Sequence, residues 1–229
     1  MSYISPKIPW LLRKSFPSYL WRSYTKEKIL YLTFDDGPIP EITERVLDIL
    51  KDFNAKATFF CIGDNVDKYP AILKRILTEK HAVGNHTYNH VKGWKCSNEA
   101  YLSNVLEAEV LLESFIRDFK KDLPNRSKEM DMKLFRPPYG QITPTQARML
   151  QKLGYTIVMW DVVAIDWKSE ISQDKVVDNV LKNAKEGSVV IFHDSVKASK
   201  NMLYALPKVL TYYHDRGFTF RAISPRTLA

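Results

Sequence analysis

The sequence predicts an α/β fold, specifically an irregular (β/α) barrel of about seven parallel strands. Three observations carry that expectation. From residue 28 onward, apolar runs of strand length alternate with longer segments of helical period. Alternation of this kind implies parallel strands joined by crossover helices. In addition, five polar constellations each sit at the end of a strand-like run. A barrel gathers five strand ends around one mouth, whereas an open sheet offers a single crevice.

The elements follow in order. The first strand, 30–34, is β-branched and aromatic, and Pro40 marks the start of a helix over 41–53. A strand at 57–61, a helix at 69–79 and a strand at 82–85 come next, then a long helix over 98–122. Residues 123–132, LPNRSKEMDM, read as a surface loop. A strand at 133–136 leads into a helix at 143–153 that stops at Gly154, and the strand after it spans 155–160. A helix at 172–185 ends at Gly187, and the most apolar strand, 188–193, follows. A helix over 201–216 and a strand over 218–223 complete the chain.

With 229 residues the chain is long enough for one well-cored domain, assigned to 28–229 with an N-terminal extension at 1–27. It carries 34 Lys and Arg against 26 Asp and Glu, a net charge of +8, but no block of like charge as in nucleic-acid arms, so a nucleic-acid partner is not expected. The 2 cysteines, Cys61 and Cys96, cannot form a stapling framework. No run reaches the roughly 18 apolar residues of a membrane span. The first 27 residues lack an uninterrupted apolar stretch, since Pro9, Pro17 and the Arg13-Lys14 pair break it, so no signal peptide is read there. Trp10, Tyr19 and Trp21, interleaved with Arg13, Lys14 and Arg22, fit either a strap across the domain or a peripheral membrane contact. The expected protein is a monomer, cytoplasmic or peripherally membrane-associated.

Chemistry concentrates at the strand ends. In TFDDGP, Asp35 and Asp36 are neighbours at a strand end and point to opposite faces, so each can take a separate task. HTYNH spaces His86 and His90 four apart, which in a helical turn sets both imidazoles on one face. With a carboxylate from the first strand they make a His2Asp set with open positions, suited to catalytic zinc or another divalent ion. In RPPYG, Arg136 can hold a carboxylate and the Tyr139 backbone NH can face an oxyanion. His193 ends an apolar strand, where it can serve as a general acid with Asp194 as its orienting carboxylate. Trp167 and Ile191 can wall a small apolar pocket.

Taken together and in this order, TFDDGP, HTYNH, RPPYG and IFHDS make residues 32–223 resemble the NodB-type polysaccharide deacetylases, carbohydrate esterase family 4. The resemblance implies hydrolysis of N-acetyl groups on an N-acetylglucosamine-containing glycan. It assigns Asp35 as catalytic base, Asp36, His86 and His90 as metal ligands, and His193 as general acid. Arg136 would orient Asp35 and the Tyr139 NH would form the oxyanion hole, while Pro137, Trp167 and Ile191 would line the substrate site. The implied cofactor is a divalent metal, zinc first, with cobalt or nickel as alternatives. The rival functions are an O-acetyl esterase, a non-haem iron oxygenase and a non-catalytic glycan-binding relative. One departure stands out. Where the resembled family has an acidic residue in its fourth motif, this chain has Val163, and Asp161, two residues earlier, is expected to compensate as partner of His193.

Overall fold

The computed structural model describes residues 5–121 and 132–227. All of the expected loop at 123–132 except Met132 therefore lies outside the described residues. The elements are α1 (Trp10–Ser15), β1 (Ile29–Asp35), α2 (Ile42–Asp52), β2 (Thr58–Cys61), α3 (Gly63–Lys68), α4 (Pro70–Thr78), β3 (Ala82–Asn85), α5 (Asn98–Lys121), β4 (Leu134–Phe135), α6 (Pro144–Lys152), β5 (Thr156–Ile157), β6 (Val162–Val163), α7 (Gln173–Leu181), β7 (Val189–His193), α8 (Ser199–His214) and β8 (Thr219–Phe220).

Seven parallel strands form a curled half-barrel in the order β5-β4-β3-β2-β1-β7-β6, and β8 pairs with the first two residues of β1. The expected strand at 155–160 is present only as β5, and a further short strand, β6, follows beyond its expected end after Val158 to Asp161. The helix expected at 69–79 is preceded by a further short helix, α3, and Pro70 opens α4.

Strand periodicity sorts the centre of the molecule. On β1, Leu30, Leu32 and Phe34 join the cluster that packs beneath α2, α4, α7 and α8, with Phe34 stacked on Phe59 at 5.1 Å and on Phe192 at 6.0 Å. Tyr31, Thr33 and Asp35 alternate with them and point into the half-barrel. Tyr31 packs there with Phe60, Leu134, Val158 and Val189. Asp35 is therefore carried to the carboxyl end of the central strand, facing inward.

The gap between β5 and β6 is filled by the N-terminal segment. Val163 donates its NH to Pro6 O and Ile8 donates to Asp161 O, while Leu20 donates its NH to Ile157 O on β5 and accepts at its carbonyl from the Met159 NH. Ser23 then donates to Gly187 O at the foot of β7. Lys7 Nζ and Arg13 Nη1 grip opposite oxygens of fully buried Asp161, at 2.7 and 3.1 Å. Trp21 is buried and its indole NH donates to Phe16 O, whereas Trp10, Leu11 and Leu12 on α1 are exposed. Residues 5–23 thus serve as a strap that supplies the missing sheet partners. No described helix is long and apolar enough to cross a membrane.

Candidate active site

The loops after β1, β3, β4, β6 and β7 meet at one end of the half-barrel. Arg136, just after β4, is fully buried, with its guanidinium 4.1 Å over the Phe60 ring. Its donors go to Asp35 Oδ1 and Thr33 Oγ1, both at 2.7 Å, and to the carbonyls of Val158 and Met159. A charge so deep in the fold needs every donor met. The result is an Asp35 carboxylate fixed at one oxygen, with Oδ2 turned towards His86 Nε2 at 3.8 Å.

Asp36 faces the other way. Its backbone adopts a left-handed conformation, φ 85°, held from two sides: Asn65 Nδ2 donates to Asp36 O at 2.7 Å, and the next NH, that of Gly37, donates to Asp194 Oδ1 at 3.0 Å. A Cβ on Gly37 would lie 2.0 Å from Asp194 Oδ2, so only glycine fits beneath that carboxylate. Thr43 Oγ1 donates to the same Asp194 at 2.6 Å. Asp194 therefore anchors the Asp36 loop and does not orient His193, contrary to the sequence expectation. Asp36 Oδ1 is buried with no hydrogen-bond partner among the described residues.

His86 and His90 converge on that oxygen, with Nε2 atoms 3.8 and 3.3 Å away. They do so from a loop and not from the helical turn expected, because Thr87 and His90 both take positive φ. His86 Nδ1 lies 2.7 Å from Arg136 O, which makes Nδ1 the protonated nitrogen and leaves the Nε2 lone pair free. Burial, reinforced by the neighbouring imidazole, pulls His86 down to about 3, and burial also lowers His90. Two neutral imidazoles and one orphaned carboxylate oxygen, all within 4.8 Å of one another, fit a divalent metal ion that keeps positions open for water and substrate.

His193 stands beside Asp35, its register partner on adjacent strands. Its own partner is a residue that the sequence reading missed. Asp166, fully buried after β6, accepts from the His193 NH at 2.8 Å through one oxygen and meets Nδ1 at 2.8 Å through the other. Burial alone would lower this imidazole, but the Asp166 carboxylate outweighs it and, with Asp36 and Asp35, raises the group to about 9.

Asp161 is not in the cluster. Its NH bonds Val189, at the opposite end of β7, and its carboxylate is used by Lys7, Arg13 and Ser188. Val189 and His193 are four residues apart, or ~13 Å along a strand. The signal for Asp166 was the strand boundary: with β6 at 162–163, an Asp three residues later reaches the mouth, whereas a strand ending at 160 points to Asp161.

The remaining residues line the mouth. Val163, Ile165 and Ile191 form a small apolar cluster against Trp160, Trp167 and Ile171, and Trp167 meets the His193 ring edge-on at 4.8 Å. Pro137 precedes a 3-10 turn, Pro138–Gly140, in which Tyr139 is left-handed (φ 59°) and its ring lies 4.6 Å from that of His90.

Comparisons with known proteins identify the family. The sequence profile of the family described as Polysaccharide deacetylase matches residues 22–158. A peptidoglycan-N-acetylglucosamine deacetylase of Bacillus cereus is 37% identical over 198 residues, covering 86% of this chain and 67% of the relative. A second of the same name and organism is 34% identical over 206 residues, covering 89% of this chain and 90% of the relative. The crystal structure of a peptidoglycan N-acetylglucosamine deacetylase, in complex with 4-naphthalen-1-yl-N-oxidanyl-benzamide, superposes with a TM-score of 0.81 at 32% identity, covering 94% of this chain and 95% of that one.

Proposed function

Since the chain belongs to the NodB-type polysaccharide deacetylase family, we propose that it is a metal-dependent hydrolase removing N-acetyl groups from an N-acetylglucosamine-containing glycan. One observation carries the reading: two adjacent carboxylates have been given opposite surroundings. Asp35 is locked to buried Arg136, while Asp36 presents an unpartnered oxygen to two neutral imidazoles.

Asp36, His86 and His90 would hold the metal, zinc by preference of the donor set, with cobalt or nickel as substitutes. When bound, the ion polarises the acetamide carbonyl and acidifies water. Asp35 is the general base: Arg136 holds its Oδ1 and aims the carboxylate, and Oδ2 remains available to take a proton from the attacking water. The Tyr139 NH donates to the oxygen on which charge develops, a task that its left-handed backbone on a proline-stiffened turn prepares in advance. An amine leaves only once protonated, and His193, held by Asp166 at Nδ1, delivers that proton from Nε2. Ile191 and Trp167, with Val163 and Ile165, enclose the acetyl methyl, and Pro137 lines the sugar side. Val163 then serves as pocket wall, and Asp166 takes over the acidic role.

The test is paired deacetylation of matched N-acetyl and O-acetyl oligosaccharides by metal-loaded protein. Acetate with an equal amount of new amine from the N-acetyl substrate supports the reading. Turnover confined to the ester would reassign the protein as an O-acetyl esterase.

A further inference from the structure

Outside the catalytic cluster, one side chain combines high exposure with a fixed pose. Trp94 is 66% exposed, in a 3-10 turn (Gly93–Lys95) four residues beyond His90. Its turn is pinned to the loop that follows Tyr139. Gly93 donates its NH to Gln141 O at 3.1 Å, Gln146 Nε2 donates to Gly93 O at 2.9 Å, and the Trp94 indole NH donates to Ile142 O at 3.1 Å. A Cβ on Gly93 would lie 2.5 Å from Gln141 O, so the two loops are in backbone contact there. An exposed indole on a mobile loop would lose much freedom on binding a ligand. This one is ordered before anything binds, which lowers the entropic cost of association.

The neighbouring aromatic groups are already engaged. The Tyr139 ring lies against His90 and carries the Lys92 ammonium 4.4 Å from its centroid, and Trp167 packs on His193. Trp94 has no ring or cation partner among the described residues. Its apolar face is thus presented on the rim formed by the ends of β3 and β4, beside the metal-ligand loop. The axial C–H groups of a pyranose make an apolar face that complements such a surface, while the indole edge is occupied by Ile142.

Resting on the deacetylase reading, we propose that Trp94 is a specificity-determining residue, the stacking platform for a sugar of the glycan other than the one undergoing deacetylation. Acetate release is measured from a ladder of N-acetylglucosamine oligomers of increasing length, with metal-loaded wild-type, Trp94→Ala and Trp94→Phe proteins. Trp94→Ala is expected to raise KM for the longer oligomers by roughly five- to tenfold, with kcat unchanged and the shortest substrate unaffected. Trp94→Phe, which keeps an aromatic face, is expected to recover most of that loss. Equal KM changes at every length, or none at all, would overturn the subsite. Calorimetric binding of the longest oligomer to Asp35→Asn protein, with and without Trp94→Ala, reads the subsite without turnover. If the wild type releases no acetate but this binding still weakens on removing Trp94, the deacetylase reading fails and the subsite stands. Unchanged binding overturns the subsite alone.

Discussion

Replacing Asp166 by Asn isolates the group that prepares the acid. Asp166 contacts His193 twice, at its backbone NH and at Nδ1, each at 2.8 Å, and the side chain is fully buried. Asn preserves the shape but removes the charge, so the imidazolium loses its main stabilising partner while the burial that lowers it remains. From about 9, His193 should fall below the ordinary 6.5. The alkaline limb of kcat, where the acid loses its proton, should move down by two pH units or more in the variant. Because the folded-state group is raised, the pair stabilises the fold fully below pH 6.5 and loses that contribution as pH rises through about 9. At pH 6 the loss in stability should be on the order of 3 kcal/mol, and above pH 10 the two proteins should converge. The assay is kcat against pH on an N-acetylated oligosaccharide, paired with denaturant melts at both ends of the range. Superimposable alkaline limbs would refute the assignment, and Asp161→Asn, whose side chain meets Lys7, Arg13 and Ser188 and not His193, is expected to leave the limb where it is.

Four further outcomes follow from the same contacts. Asp36→Ala, His86→Ala and His90→Ala should each lose bound metal and activity together, whereas Asp35→Asn should keep the metal and lose turnover; elemental analysis beside rate measurements checks this division. Gly37→Ala must displace the Asp36 loop from Asp194 and should weaken metal binding at least tenfold in a chelator competition, an order set by the 2.0 Å overlap being too close to relieve without backbone movement. Asp161→Asn leaves Lys7 and Arg13 without their buried counter-charge and should cost about 3 kcal/mol, lowering Tm by roughly 6–12 °C for a chain of this size. Deleting residues 1–23 uncovers the β5 and β6 edges and takes buried Trp21 out of its cluster with Tyr155 and Ile157, and should destabilise more than Asp161→Asn does in the same melt.

The half-barrel was legible because most of its strands are buried on both faces and its helices are amphipathic, so the two periods alternate along most of the chain. The site was legible where chemistry and strand ends coincide: Asp35, Asp36, His86, His90, Arg136 and His193 all lie within a few residues of a carboxyl terminus of β1, β3, β4 or β7. What escaped the reading depends on contacts distant in sequence. The β5–β6 break is set by residues 6–8 and 20 bonding into the gap, which no local pattern around 155–163 records. With that break unseen, Asp161 was placed at the mouth and Asp166 passed over. The loop conformation of HTYNH rests on positive φ at Thr87 and His90, a backbone region that residues other than glycine seldom take and that spacing alone does not signal.

The central claim is that the Asp36, His86 and His90 cluster supports hydrolysis of an N-acetyl group, and its most direct measurement is acetate release from an N-acetylglucosamine oligomer by one protein preparation in three states: metal-loaded, chelator-stripped and reloaded with zinc. The account predicts release with equal new amine when loaded, loss of that activity on stripping, and its return with one equivalent of zinc per chain. A full rate from protein verified to be metal-free, or no amine formed in any state, would contradict it.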